Sequence, residues 1–371
     1  MPLGSSIPQF SNKPIAYIHL DNIQANLNLA REKSRGCKTM AVVKANAYGH
    51  GVEFVAKHLT GMDAFAVARV EEGVALRSSG IGIPIYVLQG FLGKAELEIC
   101  INSHLIPMIH SVDQWQLVNS LGVELPVWLK FDTGMHRLGL NELELDMILA
   151  NPGGLVIIGI ASHFANADVA DHDENLRQLR VFNSKTNNLS IAKSMANSGA
   201  VLGLKSSHYD WVRPGIMLYG GSTSIEHDPT LKPGMTLTAP IIAVRSLAAG
   251  ESIGYGSVWA TEVATRIAVV GIGYADGYPR ELPPRTPVLI NGKRCEIVGR
   301  VSMDMIMVEI PLELQASSGD RAILWGDTLF IDDVASHIGT LGYTLMSGLS
   351  GRVERIASSM TPAELVAGIA W

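Results

Sequence analysis

The chain has 371 residues, 47% of them hydrophobic and 17% charged, with a formal net charge of −6. That length suits two domains or one barrel with an appendage, and that composition implies a large buried core rather than disorder. The acidic balance and the lack of any basic block argue against a nucleic-acid surface, so positive charge that matters is local and aimed at a small anion.

Cys37, Cys100 and Cys295 are widely separated and lack metal-ligand spacing, as expected in a reducing compartment. Residues 1–11 have neither a basic nor an apolar leader region, and no apolar run reaches the ~18 residues of a membrane span. The expectation is a soluble cytoplasmic protein.

From about residue 38 to residue 215, short apolar runs alternate with amphipathic stretches of helical length. The runs are Thr39–Ala45, Ala64–Ala68, Ile85–Leu88, Ile106–Ile109, Val127–Phe131, Val156–Ser162, Ser194–Asn197 and Tyr209–Arg213. Helix-like segments between them include Gly51–Leu59, Val70–Ser79, Val112–Ser120, Leu140–Leu149 and Asn175–Leu189. Buried strands alternating with helices imply parallel pairing and right-handed crossovers. The fold class is therefore α/β, an N-terminal (β/α)8 barrel with its site at the strand C-terminal ends. The last two strands are short and polar, which leaves a doubly wound sheet as the alternative.

After Pro233-Gly234 the pattern changes to strands and turns: Thr236–Val244, Arg266–Val270, Thr286–Ile290, Cys295–Val301, Met305–Ile310 and Arg321–Trp325. Asn291-Gly292 is a hairpin signal, and only Ile331–Ser350 looks helical. We assign residues 12–234 to the barrel and 235–371 to a mostly β domain, with 1–11 open to either. The early run Ile15–Leu20 also suits the second domain. Gly271-Ile272-Gly273-Tyr274-Ala275-Asp276-Gly277 resembles a dinucleotide fingerprint, but its third glycine is one place late and no βαβ unit surrounds it.

Several stretches can carry chemistry. In Ala41–Gly51, Lys44 ends an apolar run, followed by Tyr48, and Gly49 and Gly51 permit a tight turn into a helix. A partly buried lysine loses its proton more easily and suits Schiff-base chemistry, whereas an ordinary strand-end lysine snorkels into water. Gly215 and Ile216, after the last strand, offer backbone N–H groups where barrels often bind phosphate, and Ser198 adds a hydroxyl. Arg137 can clamp a carboxylate or staple Asp132. His163 is a candidate acid, base or orienting group. In the cluster Asp168, Asp171, His172, Asp173 and Glu174, Asp171 followed by Glu174 reads as a capping box opening the Asn175 helix rather than as part of a metal site. Tyr255 lies between glycines on a turn, and Met303 lies in Arg300–Met305.

The stretches AVVKANAYGHG, KFDTGMHRLG, SHFANAD, ANSGA, VRPGIMLYG, GYG, GYADGYPR and RVSMDM occur in that order between Ile15 and Arg355. Together they resemble the alanine racemases, which use pyridoxal phosphate and combine a (β/α)8 barrel with a C-terminal β domain. The resemblance implies that Lys44 holds the cofactor covalently and moves the Cα proton on one face, with the partner subunit's Tyr255 acting on the other. His163 would link that tyrosine to Arg213, which would face the pyridine nitrogen. Tyr48, Ser198, Gly215, Ile216 and Tyr343 would hold the phosphate, and Leu88 would also line the cofactor. Arg137 and the backbone of Met303 would hold the substrate carboxylate, and Lys130 matches a lysine often carbamylated in the family. The implied protein is a homodimer with composite sites, acting on alanine with no metal. Ser302 and Glu354 depart from the family's usual cysteine and proline. Racemisation of serine or a broader range of amino acids, and a non-catalytic cofactor-binding role, are the alternatives. A related barrel decarboxylase would place an acid where this chain has Arg213.

Overall fold

The computed structural model describes residues 12–224 and 227–358. Residues 1–11, left open above, lie outside the described residues. Contacts divide the chain into one unit of residues 24–218 and a second holding the described residues up to Ile23 and from Tyr219 onward.

The first strand, β1 (Ile15–His19), belongs to the second unit. The next eight are β2 (Lys38–Val42), β3 (Ala64–Val67), β4 (Ile85–Val87), β5 (Ile106–Ile109), β6 (Leu125–Lys130), β7 (Leu155–Ala161), β8 (Ala192–Ser194) and β9 (Trp211–Val212). They form a closed barrel in chain order. Closure comes from β2 and β9, which pair in parallel through Lys38 with Trp211 and Thr39 with Val212. The doubly wound alternative is thereby excluded. The last two strands are as short as their polar composition suggests, and β8 begins before the run expected there. The adjoining Met195 and Ala196 are fully buried, so hydrophobicity alone overstated where pairing continues.

Inside the barrel Tyr86, Trp128 and Trp211 meet edge to face, with ring centroids 5.8, 5.8 and 6.1 Å apart. Such pairs contribute roughly 0.5–1.5 kcal/mol each beyond their burial. A side chain on Gly159 of β7 would land on the Trp128 ring, so glycine there lets the strand pass the indole. Helix Leu20–Lys33 was not expected. It buries Ile23, Asn26, Leu27 and Ala30 at helical spacing, and the polar Asn26, bonded to the Leu218 carbonyl, interrupts the apolar signal. Helix Asp173–Thr186 starts two residues before the stretch expected, and its cap is His172, whose Nδ1 accepts from the Glu174 N–H, rather than Asp171.

The second unit is a mostly antiparallel sheet. Its strands are β1, β10 (Met235–Leu247), β13 (Thr265–Val270), β14 (Pro287–Ile290), β15 (Lys293–Val298), β16 (Ile306–Ile310), β17 (Arg321–Trp325) and β18 (Glu354–Ser358), with β11 (Ser252–Ile253) and β12 (Trp259–Ala260) as a separate ribbon. β1 is antiparallel to β10 and parallel to β18. This pairing draws residues 12–23 out of the barrel range given above, and Tyr219 to Gly234 also fall in the second unit. The reason is physical: a fully buried apolar strand reads the same in either sheet, and only its pairing decides. Asn291-Gly292 forms the expected two-residue hairpin between β14 and β15, with φ of 47° and 74°. The helical stretch is two helices, Ile331–Ile338 and Gly342–Gly348.

Candidate active site

Lys44 lies two residues beyond β2, at the strand C-terminal end. The four residues after it, Ala45 to Tyr48, have φ between 52° and 55° and form a left-handed turn. The Ala47 N–H donates to the Val43 carbonyl and the Gly49 N–H to the Ala45 carbonyl, both at 2.9 Å. The positive φ of Gly49 and Gly51 fits the turn expected there, but the reversal begins earlier, on residues with side chains.

Left-handed turns cost roughly 1–2 kcal/mol per such residue, so neighbours must hold this one. Glu72 accepts from the Ala45 N–H at 2.6 Å through one oxygen, and from Ala68 and Arg69 at 2.8 and 3.1 Å through the other. His50 Nδ1 donates to the Ala47 and Tyr48 carbonyls at 3.0 Å each. Neither Glu72 nor the role of His50 was evident in the sequence. A carboxylate three residues into a helix is an ordinary cap, and only the fold brings it to Ala45.

Lys44 Nζ lies 6.0 Å from the centre of the Tyr48 ring. Burial, then Arg137, lowers its pKa, against a smaller opposing effect from Glu72. The Tyr48 hydroxyl in turn lies against Gly215, where an added Cβ would come within 2.5 Å of it. Ser198 Oγ accepts from the Gly215 N–H at 2.8 Å and the Met217 N–H at 3.4 Å. Ser198 opens helix Ser198–Gly203 behind the Asn197 cap, and Ile216 opens a 3-10 turn. First-turn N–H groups have no partner within their own helix. A phenol, a hydroxyl and two helix starts thus converge on one spot; a phosphate there would replace Ser198 Oγ as the acceptor of the Gly215 N–H and take the hydroxyl hydrogen as well.

Arg213, just past β9, is 6% exposed. It donates to Ser194 Oγ at 2.5 Å, to the Ser162 and Met195 carbonyls at 2.6 and 3.3 Å, and to His163 Nδ1 at 3.4 Å. A guanidinium has no acceptor, so Nδ1 of His163 accepts and Nε2 carries the hydrogen. Burial pulls Arg213 down to about 10, which leaves it charged at neutral pH. Burial, then Arg213, Lys130, Arg137 and Lys44, holds His163 well below the ordinary imidazole value, so the ring is neutral.

The His163 loop is braced by Gln178, fully buried on helix Asp173–Thr186. Its amide donates to the His163 carbonyl at 2.9 Å and Thr133 Oγ1 at 3.0 Å, and accepts from the Ala165 N–H at 2.9 Å. Nothing in the sequence marks this glutamine beyond its place on an amphipathic helix.

Lys130 ends β6 and is pushed down to about 8, first by burial and then by Arg213, Arg137 and Lys44. Arg137 is exposed on the loop that follows. Asp132 is not its staple. Asp132 Oδ1 takes the Gly134 and His136 N–H groups at 2.9 and 3.2 Å, and Oδ2 lies 3.2 Å from the His136 ring. Leu88 follows β4 and donates its N–H to the Val67 carbonyl at 2.9 Å.

The structure therefore gathers Lys44, Tyr48, Lys130, His163, Ser198, Arg213, Gly215 and Ile216 at one end of the barrel, with Arg137 on a bordering loop and Leu88 at the end of β4. Tyr255, Met303 and Tyr343 lie on the second unit. Tyr255 is 71% exposed between Gly254 and Gly256, both at positive φ, and Met303 is 53% exposed. Tyr343 is on helix Gly342–Gly348.

The sequence matches two family models, "Alanine racemase, N-terminal domain" over residues 18–223 and "Alanine racemase, C-terminal domain" over residues 234–357. It is 42% identical over 348 residues to the alanine racemase of Vibrio cholerae, covering 91% of this chain and 96% of that one. Identity to the alanine racemase of Mannheimia succiniciproducens is 43%, covering 89% and 95% of the two chains. Among solved structures, the biosynthetic alanine racemase of Pseudomonas aeruginosa superposes with a TM-score of 0.89 at 40% identity, covering 94% of this chain and all of that one. An alanine racemase from Bartonella henselae, solved with covalently bound pyridoxal phosphate, gives 0.88 at 33% identity with the same coverage.

Proposed function

The chain belongs to the alanine racemase family, and from that premise we propose that it interconverts L- and D-alanine with pyridoxal phosphate and two bases on opposite faces of Cα. The observation that carries this reading is the run of groups from Lys44 through Tyr48 to Gly215 and Ser198. It joins a lysine of lowered pKa to a nest of N–H and O–H donors. Those residues fit the cofactor: Lys44 would hold it covalently, Tyr48, Ser198, Gly215, Ile216 and Tyr343 its phosphate, and Leu88 and Arg213 its ring. When bound, pyridoxal phosphate withdraws electrons from the substrate Cα and acidifies its hydrogen.

The protein supplies proton handling and orientation. Lys44 Nζ takes the proton on one face, and its lowered pKa raises the share of neutral amine that can accept it. The partner subunit's Tyr255 returns a proton from the other face. The Nε2–H of His163 would donate to that phenol oxygen and stabilise it when deprotonated. Arg213 holds His163 in the required tautomer. As a charged group with only donors, Arg213 would also bond the cofactor's ring nitrogen without releasing a proton to it. Electron withdrawal then stays moderate, which favours return of the proton over loss of the carboxylate. Arg137 and the backbone of the partner subunit's Met303 would hold that carboxylate. The working form is a homodimer, and its D-alanine would serve the bacterial cell wall.

The test is purified protein with L-alanine in deuterium oxide, followed by chiral analysis. D-alanine bearing deuterium at Cα is the expected product, together with a cofactor that borohydride fixes onto Lys44. A fixed cofactor with no exchange into alanine would transfer the assignment to another amino acid.

A further inference from the structure

The Gly273–Gly277 segment looks like a nucleotide loop in the sequence but follows the antiparallel strand β13 as a 3-10 turn. What it packs against gives it another role. The Tyr274 N–H donates to the Ser302 carbonyl at 3.2 Å and the Ala275 N–H to the Met303 carbonyl at 3.0 Å. A Cβ on Gly273 would collide with both of those carbonyls, so glycine is what lets the two loops meet backbone to backbone. The Met303 loop is itself folded tightly, the Ser302 N–H donating to the Met305 carbonyl at 2.9 Å.

A single arginine bolts the arrangement. Arg352 Nε lies 3.1 Å from Asp276 Oδ1, and its Nη2 donates to Asp304 Oδ1 at 2.7 Å. Asp276 is 2% exposed, and its other oxygen accepts from the Gly273 N–H at 2.9 Å. Its carbonyl also accepts from the N–H of Ser350, two residues before Arg352, at 2.9 Å. The bonds close a ring that runs from Asp276 through the adjoining Ala275 to the Met303 carbonyl, on to Asp304, and back through Arg352. Met303 is the one exposed residue in this ring whose backbone the proposed function uses.

We propose that Arg352, acting through Asp276 and Asp304, is a positioning residue that fixes the Met303 backbone amide for the substrate carboxylate. The inference rests on the reading of Met303 as a carboxylate contact. It predicts an effect on carboxylate binding rather than on proton transfer, because none of the three side chains is assigned to the proton path.

The experiment uses holoenzyme and measures kcat and KM for alanine, with the competitive Ki of propionate as a probe that has the carboxylate but no amine. Asp304→Ala opens the ring at its exposed end, and Arg352→Met opens both ends. Each is expected to raise KM and the propionate Ki about fivefold or more while kcat changes less than about twofold, as loss of ground-state binding requires. Arg352→Lys should recover part of the affinity. Unchanged KM and Ki in correctly folded Asp304→Ala and Arg352→Met would overturn the inference. So would a fall in kcat at constant Ki. If propionate fails to compete even in the wild type, the carboxylate assignment itself fails and takes this inference with it.

Discussion

Replacing Gly215 with alanine tests whether the donor nest is built as described. The new Cβ would sit 2.5 Å from the Tyr48 hydroxyl, which is on a buried ring and cannot swing away as a flexible side chain would. Ordinary van der Waals contact begins near ~3.4 Å, so the hydroxyl must retreat by roughly 0.9 Å. Gly215 has no positive φ, so alanine brings no backbone strain. A hydrogen bond to a charged group is worth about 1.5–3 kcal/mol, so losing that of Tyr48 to the phosphate should weaken cofactor binding about 10- to 100-fold. The assay is titration of the apoprotein with pyridoxal phosphate, followed by absorbance. Tyr48→Phe removes the same contact and also the atom that collides, so the double variant should bind no worse than Tyr48→Phe alone. Cofactor affinity of Gly215→Ala within twofold of wild type would refute the reasoning, as would additive losses in the double variant.

Three further outcomes follow from the same geometry. Lys44→Ala and Tyr255→Phe proteins, each nearly inactive alone, should regain activity when their subunits exchange. Exchange shown by mass spectrometry without recovery would exclude composite sites. His163 is held neutral in the folded chain but takes up a proton when unfolded, near the imidazole value of ~6.5. Below that pH the unfolded state binds the extra proton, so stability should fall as pH drops from 7 to 5, by at most about 1.4 kcal/mol per pH unit from this group. The slope should be shallower in His163→Asn; equal slopes in thermal melts would remove His163 as a cause. Lys130, at about 8, has a growing neutral fraction between pH 7 and 9 that can add carbon dioxide at nitrogen and release a proton. With labelled bicarbonate a carbamate carbon resonance should grow over that range and be missing in Lys130→Arg.

The barrel was legible because its buried strands and amphipathic helices alternate with the regularity that parallel pairing imposes. The site was legible as pieces, because Lys44, His163 and Arg213 each end or follow a strand and so must share one face. Side chains that work through the backbone stayed hidden. Glu72 reads as a helix cap and Gln178 as one polar position on an amphipathic helix, and their second partners, Ala45 and His163, appear only on folding. The left-handed turn was hidden for a related reason. Of Ala45, Asn46, Ala47 and Tyr48 only Asn46 is a residue that adopts positive φ readily, so tertiary bonds and not propensity select the run. β1 was ambiguous because burial on both faces erases the alternation that would have assigned its sheet.

The electrostatics of the barrel end argue for what the site must bind. Lys44, Lys130, Arg137 and Arg213 all act on His163 in a chain whose overall charge is negative. Two carboxylates oppose them, Asp132 at Lys130 and Glu72 at Lys44. Both are committed to other bonds, Asp132 to the Gly134 and His136 N–H groups and the His136 ring, Glu72 to three backbone N–H groups. Gathering four cations with so little local compensation is unfavourable unless anions arrive to complete the arrangement. A phosphate and a substrate carboxylate are such anions, and a carbamate on Lys130 would turn one of the four cations into a third. Burial, with the nearby cations adding to it, keeps His163 neutral and biases Lys44 toward its neutral amine. Burial and charge imbalance thus act together: the imbalance favours anionic ligands, and burial above all sets the protonation states that proton transfer needs.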